Sequence, residues 1–161
     1  MKGKEMPEER FMRRAVELAA YALDHGLGGP FGAVVVKEGM IIGEGFNQVT
    51  SINDPTAHAE VMAIREACKN MAAFQLTGCD LYSSCEPCPM CLGAIYWARP
   101  DRLFYGSTRH DAADAGFDDA FIYREMALPE EKRKMNLTYF PDENARAVFR
   151  RWKEKENKTA Y

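Results

Sequence analysis

A chain of 161 residues and 18.2 kDa, with 47% hydrophobic and 28% charged residues, has the size and composition of one globular domain, residues 1–161. Its net charge of −3 and pI near 5.7 argue against nucleic acid as the main partner. The opening residues MKGKEMPEER contain no apolar signal region, and no apolar run approaches the ~18 residues of a membrane helix, so we expect no secretory signal and no membrane partner. The five cysteines are odd in number and clustered, which does not suggest a disulfide framework, so we expect a reducing, cytoplasmic location.

The sequence predicts helices that alternate with strands along the first two thirds of the chain. Pro7 and two glutamates open a first helix, whose apolar residues recur at helical spacing until His25 and Gly26. Two β-branched runs, FGAVVV and MIIGEG, flank Lys37-Glu38-Gly39, which predicts a hairpin. A helix over 58–70, a strand CDLYSS, a helix over 89–99 and a strand RLFYGS follow.

The remaining third of the chain is less regular. It contains the loop segment HDAADAGFDDAF, a predicted strand NLTYF and a final amphipathic helix within ENARAVFRRWKEKENK. Strands that alternate with helices predict an α/β layered sheet with the hairpin at one side. The irregular segment around residues 110–121 is a candidate functional loop, because binding residues often lie on loops that a rigid sheet supports.

Two short motifs, each at the start of a predicted helix, carry the chemistry. The first is His58-Ala59-Glu60, and the second is Cys85-Glu86-Pro87-Cys88-Pro89-Met90-Cys91. Cys88 and Cys91 share a helix face, and a helix N-terminus lowers a thiol pKa, so both can bind a metal as thiolates. Zinc takes Cys and His ligands, and a site with three protein ligands leaves room for a water. Glu60 is then placed to carry a proton between that water and a leaving amine.

The pattern H-x-E followed by P-C-x-x-C is the signature of zinc nucleobase deaminases. The chain resembles the cytidine-deaminase-like superfamily over nearly its whole length. Within it, GGPFGAVVV, DPTAHAEV, SCEPCPMCLGAIYWARP and AADAGFDDAFIYRE are similar to the bacterial guanine deaminases. The resemblance implies a three-layer α/β/α sandwich with a five-stranded mixed sheet. It also implies hydrolytic deamination of guanine, a small purine base, to xanthine and ammonia with one Zn²⁺ per subunit.

The same resemblance implies a role for each site residue. Glu60 is the proton donor and acceptor, assisted by Asp119, and the metal is held by His58, Cys88 and Cys91. The substrate is bound by Asn47, Phe31, the backbone at Ala59, Asp119 and the C-terminal Tyr161. These enzymes are typically homodimers that exchange their C-terminal segments, so the pocket of one subunit is predicted to be completed by the other.

Chemical complementarity supports guanine as the substrate. Guanine presents N1–H and a 2-amino group as donors, so its pocket needs acceptors, and the Asp119 carboxylate and the Asn47 amide oxygen are candidates. Three alternatives remain open at this point. The first is a tRNA adenosine deaminase whose basic last helix contacts phosphates. The second is a deaminase of guanosine or of an aminotriazine such as ammeline, and the third is a structural protein. The last would hold zinc in a closed site of Cys85, Cys88, Cys91 and His58.

Overall fold

The fold is α/β, and the computed structural model describes residues 7–117 and 119–161. Its internal contacts divide the chain into two units, Met1–Ala120 and Phe121–Tyr161, which are described separately. That residues 1–161 act as one domain stays a prediction. In the part of the chain that the structure describes, every helix is too short or too polar to span a lipid bilayer.

The first unit contains the elements predicted around the two motifs, together with short helices on either side of them. Its helices are α1 Glu9–Asp24, α2 Val49–Ile52, α3 Ala59–Met71, α4 Pro89–Ala98 and α5 Arg109–Asp114. Its strands are β1 Gly32–Lys37, β2 Met40–Phe46, β3 Cys79–Cys85 and β4 Arg102–Ser107. The predicted helices and strands before residue 108 are thereby confirmed, with boundaries that move by two residues or fewer.

The four strands form one mixed sheet in the order β2-β1-β3-β4. Strand β1 pairs antiparallel with both β2 and β3, whereas β3 pairs parallel with β4. The β1–β2 connection is the predicted hairpin, with positive φ at Glu38 and Gly39 (50° and 75°). Two consecutive left-handed residues make the tight turn whose twist matches that of the flanking strands.

Helices cover both faces of this sheet because the side chains of its central strands alternate between two apolar clusters. Ala33 and Val35 of β1 belong to a cluster with α3 and α4, and Val34 and Val36 belong to a second cluster with α1. Successive residues of a strand point to opposite faces, so one run of small apolar residues serves both layers. The first unit is therefore a helix–sheet–helix sandwich.

Helix α3 lies unusually close to β2, where two glycines make room for it. A Cβ at Gly45 would come within 2.2 Å of the Ala59 carbonyl oxygen, and one at Gly43 within 2.5 Å of the Ala63 carbonyl oxygen. No larger residue can occupy these positions without moving the helix. The two glycines thus set the position of the N-terminus of α3, which carries the first motif.

The second unit contains α6 (Ala120–Ala127, which begins in the first unit), a 3₁₀ turn at Glu130–Lys132 and α7 (Glu143–Glu154). The predicted fifth strand is wrong for the described residues: NLTYF forms no strand, and the sheet has four. The side chains of Tyr139 and Phe140 are 76% and 84% exposed. Aromatic residues favour strands only where a neighbouring strand and a packed face receive them, and this segment meets neither in the described chain.

Candidate metal centre and substrate cavity

The metal-binding motifs lie at the N-termini of two neighbouring helices. His58 is the N-cap residue of α3, and Cys88 is the N-cap residue of α4, both with extended backbone. Pro89 follows Cys88 at the first helical position, where a missing N–H costs nothing, so the chain turns into α4 at this point. Cys91 then lies in the first turn of the same helix, with its backbone N–H 3.5 Å from the Cys88 sulfur.

The three predicted ligands are brought together. The His58 Nδ1 atom lies 3.5 Å from the sulfur of Cys88 and 3.5 Å from that of Cys91. Among residues 7–117 and 119–161, theirs is the group of metal-binding atoms that all lie within 4.8 Å of one another. In a tetrahedral zinc site, bond lengths of about 2.3 Å to sulfur and 2.0–2.1 Å to nitrogen place N and S about 3.5–3.6 Å apart. The donor set and its spacing fit one zinc ion.

Cys85 is not a member of this group. Its thiol donates instead to the carbonyl oxygen of Thr108, 3.5 Å away, and burial raises the pKa of the Cys85 thiol. It is the last residue of β3, whereas the other two cysteines lie at the N-cap and in the first turn of α4. The geometry therefore favours a site with three protein ligands over the closed four-ligand alternative.

The contacts among the three ligands shift their pKa values. Contact with the Cys91 side chain lowers the pKa of the Cys88 thiol, and the neighbouring His58 lowers it further. The same contact raises the pKa of the Cys91 thiol, and hydrogen bonding to Cys88 raises the pKa of His58. Thiolate is the form of cysteine that coordinates a metal, so the lowered pKa of Cys88 suits it to act as a ligand.

Glu60 lies beside the metal ligands in the first turn of α3. The residue is 6% exposed, and this burial raises the pKa of its carboxyl group. Oε1 accepts a hydrogen bond from the Ser83 hydroxyl at 3.1 Å. A buried carboxyl with a raised pKa, close to a metal site, has the properties of a general acid–base group.

A cavity of about 230 Å³ opens in front of the metal ligands. The predicted residues Phe31, Asn47, Glu60 and Asp119 line it together with His58 and Cys88. Cys85, which the sequence named only as a ligand of the closed-site alternative, also lines it. Other lining residues, which the sequence did not single out, are Gly29, Val49, Thr50, Glu86 and Phe117. The cavity is therefore a site where a small ligand can meet the metal and Glu60 together.

Asn47 presents a donor to the cavity, which differs from the sequence-based expectation of an acceptor. Its Oδ1 accepts hydrogen bonds from the backbone N–H groups of Gly29 at 3.2 Å and Val49 at 3.1 Å. Both lone pairs of the amide oxygen are engaged in this way, and two N–H groups directed at one atom identify it as oxygen. The amide can offer a ligand its NH₂ group only.

The acidic loop supplies one aspartate to the cavity among those that the structure describes. Asp111 forms a capping box with Thr108 at the start of α5, which lowers the pKa of Asp111. Asp114 ends α5, and Asp118 lies outside the described residues. Asp119 lines the cavity, and its charge contributes to the raised pKa of His58.

Comparison with known proteins identifies the family of this metal centre. The protein-family model for the cytidine and deoxycytidylate deaminase zinc-binding region matches residues 6–107 of this chain. Guanine deaminase of Bacillus subtilis (strain 168) is 55% identical over 156 residues, which are 97% of this chain and 100% of that protein. The crystal structure of guanine deaminase from Bacillus subtilis aligns with a TM-score of 0.93, covering 97% of this chain and 99% of that chain. The tRNA-specific adenosine deaminase of Aquifex aeolicus (strain VF5) is 35% identical over 140 residues, 87% of this chain and 89% of that protein.

The chain belongs to the cytidine and deoxycytidylate deaminase family. Its cofactor is accordingly zinc, and His58, Cys88 and Cys91 form the group that can hold one ion. The deaminase signature H-x-E…P-C-x-x-C accounts for both motifs at once.

Two of the predicted substrate-binding residues are not among those lining the cavity in the described chain. Ala59 is fully buried in the first turn of α3, between His58 and Glu60, which both line the cavity. Tyr161 belongs to the second unit and is 71% exposed. Their roles stay predictions.

Glu86 and Phe117 are deaminase-site residues that the sequence did not indicate by itself. The Glu86 carboxylate accepts a hydrogen bond from the backbone N–H of Arg109 at 3.0 Å and so ties the acidic loop to the metal motif. The Phe117 ring meets the Phe31 ring edge to face, with centroids 5.0 Å apart. The position of Glu86 inside C-E-P-C was a usable signal, because Cys85 and Cys88 of the same motif also line the cavity.

Proposed function

We propose that this protein catalyses the hydrolytic deamination of guanine to xanthine and ammonia. The observation that carries the proposal is the 55% identity to Bacillus subtilis guanine deaminase over 97% of this chain and the whole of that protein. This similarity continues beyond residue 107, where the match to the shared zinc-binding region ends. It therefore includes the acidic loop that contributes Asp119 to the cavity.

The chain's own residues divide the reaction between them. Zinc, when bound by His58, Cys88 and Cys91, would supply Lewis-acid chemistry, which lowers the pKa of a water molecule so that it can lose a proton near neutral pH. Glu60 accepts the proton that the attacking water loses and delivers it to the departing 2-amino group of guanine. Attack at C2 forms a C–O bond, the C–N bond breaks, and ammonia leaves xanthine behind.

Recognition of the base uses groups of both polarities. Guanine offers O6 and N7 as acceptors, for which the NH₂ group of Asn47 is the candidate donor. Its N1–H and 2-amino donors need an acceptor, for which the Asp119 carboxylate is the candidate. The cavity of about 230 Å³ lies below the ~300–1,000 Å³ of sites for drug-sized ligands, so it suits a free base better than a nucleoside.

We extend the proposal to the assembly and its location. Both units act as one deaminase domain in a cytoplasmic homodimer, in which exchange of the C-terminal segments brings Tyr161 to the pocket. The exposed aromatic side chains Tyr96 and Trp97 on α4, and Tyr139 and Phe140 in the second unit, support an interface between subunits. The net charge of −3 supports the absence of a nucleic-acid partner.

Ammonia release across a set of substrates tests the function. The set is guanine, guanosine, adenine, cytosine, ammeline and a tRNA anticodon stem-loop, each at the same concentration with zinc-loaded protein. We expect kcat/KM to be highest for guanine, because cavity size and polarity suit that base. The same assay on a chain lacking Tyr161 examines the terminal residue, whose removal is expected to reduce guanine turnover more than thermal stability.

A tRNA adenosine deaminase is the second candidate, favoured by the 35% identity to the Aquifex aeolicus enzyme. Activity on the stem-loop alone would establish it and overturn the guanine assignment. Activity on guanosine or ammeline in preference to guanine would retain the chemistry and change the substrate.

Asn47→Asp examines the donor that the structure places at the cavity. The carboxylate can still accept from the N–H groups of Gly29 and Val49, so we expect the melting temperature to be retained. The donor to guanine is lost, and a charge faces the purine acceptors instead. Such an exchange costs about 1.5–3 kcal/mol, or roughly 10- to 100-fold in kcat/KM.

Asn70→Asp is the matched control for this variant, because Asn70 is an exposed amide on α3 that bonds the carbonyl of Ile42. We expect wild-type turnover from it. If Asn47→Asp also turned over guanine at the wild-type rate, the assignment of Asn47 as a substrate donor would be wrong.

A further inference from the structure

Ser83 is a polar residue on an otherwise apolar face of β3. Cys79 and Leu81 of this strand belong to the cluster that packs against α3 and α4, and Ser83 follows them at the two-residue spacing of one strand face. Its side chain is 2% exposed. A hydroxyl buried in such surroundings is unfavourable unless it has a hydrogen-bond partner.

The partner of this hydroxyl is the Glu60 carboxylate. Ser83 Oγ donates to Glu60 Oε1 over 3.1 Å, across the interface between the sheet and α3. The contact joins residues 23 positions apart in sequence. Because an apolar side chain would fill this face without the cost of burying a hydroxyl, the contact with Glu60 is what the hydroxyl contributes.

The next residue of the strand shows the contrast. Ser84 is also buried, but its hydroxyl accepts a hydrogen bond from the backbone N–H of Gly32 at 3.0 Å. That contact joins β3 to β1 on the other side of the strand and does not involve Glu60. Two adjacent serines therefore have separate tasks, one with a catalytic carboxylate and one with the backbone.

We propose that Ser83 is a positioning residue, whose hydroxyl holds Oε1 of Glu60 so that the second carboxylate oxygen serves the substrate cavity. The proposal rests on the function of Glu60 given above. The terminal torsion of a glutamate side chain is broad and roughly two-fold, so backbone packing alone does not set the plane of the carboxylate. The bond from Ser83 restricts that rotation and makes the two oxygens unequal.

Ser83→Ala removes the hydroxyl and leaves a small side chain that the apolar face accepts. A misplacement of about 1 Å at a reacting group can cost ~10²-fold, so we expect kcat for guanine to fall roughly 10- to 100-fold. Guanine binding does not depend on the plane of the carboxylate, so KM is expected to stay within about twofold. Zinc stoichiometry is expected to remain at the wild-type value.

Two further variants separate positioning from a packing effect. Ser84→Ala removes the neighbouring hydroxyl and is expected to lower the melting temperature without changing kcat. Ser83→Thr keeps a hydroxyl at the same place and is expected to restore most of the rate lost in Ser83→Ala.

The deciding experiment is a double-variant cycle of Ser83→Ala and Glu60→Gln, measured under single turnover with zinc-loaded protein. If Ser83 acts through Glu60, its removal slows the wild-type protein but causes no further loss in the Glu60→Gln background. Equal losses in both backgrounds, an unchanged kcat in Ser83→Ala, or loss of zinc from Ser83→Ala would each overturn the proposal. Wild-type turnover of guanine is measured first, so a failure of the guanine assignment is seen separately from a failure of this inference.

Discussion

Glu60→Gln is expected to keep the fold and the zinc content while lowering kcat for guanine by at least about 10²-fold, the lower end of general acid–base contributions. Glutamine has the same shape as glutamate, and its amide oxygen can still accept the hydrogen bond from Ser83. It cannot carry a proton between water and the leaving amine. The rate is measured by ammonia release, and the metal content by elemental analysis of the same preparation.

Glu66→Gln provides the matched control, because Glu66 is an exposed glutamate on the same helix, away from the cavity. We expect it to behave as wild type. Near-wild-type turnover by Glu60→Gln would show that another group moves the proton. Loss of zinc from Glu60→Gln would instead place the carboxylate among the ligands.

Cys91→Ser is expected to remove both zinc and activity, because it takes one of three ligands from the site. A change in a residue that only supports a ligand costs about 10- to 100-fold in metal affinity, and the loss of a ligand itself is expected to exceed that. Competition with a chelator measures the affinity, and turnover of guanine is expected to fall in proportion to the zinc retained.

Cys85→Ser is the paired variant, since Cys85 is the third cysteine of the same motif but bonds the Thr108 carbonyl. It is expected to retain one zinc ion per chain. If Cys85→Ser released the metal while its fold persisted, the closed site of three cysteines and His58 would replace the three-ligand site.

The metal centre was predictable from the sequence because its determinants are local. Pro89 starts a helix with Cys88 at its N-cap and Cys91 in its first turn, and His58 is the N-cap residue of the helix of the other motif. The hairpin at Glu38 and Gly39 is equally local, since two residues with positive φ determine the turn. In each case a few neighbouring residues specify the backbone conformation that the structure shows.

The features that the sequence did not predict depend on residues far apart in the chain. NLTYF has the composition of a strand, but a strand forms only where another edge pairs with it. Asn47 offers the cavity a donor because the backbone N–H of Gly29, 18 residues away, donates a hydrogen bond to its amide oxygen. The contact of Ser83 with Glu60 likewise arises only when β3 and α3 pack together.

The most direct measurement follows the conversion of guanine to xanthine by the purified protein, first as the zinc-loaded form, then after chelation, and again after zinc is restored. We expect xanthine and ammonia to appear in equal amounts, to stop on chelation and to resume when zinc is returned. Absence of xanthine from the zinc-loaded protein, or turnover that continues unchanged after the metal is removed, would contradict a zinc-dependent guanine deaminase.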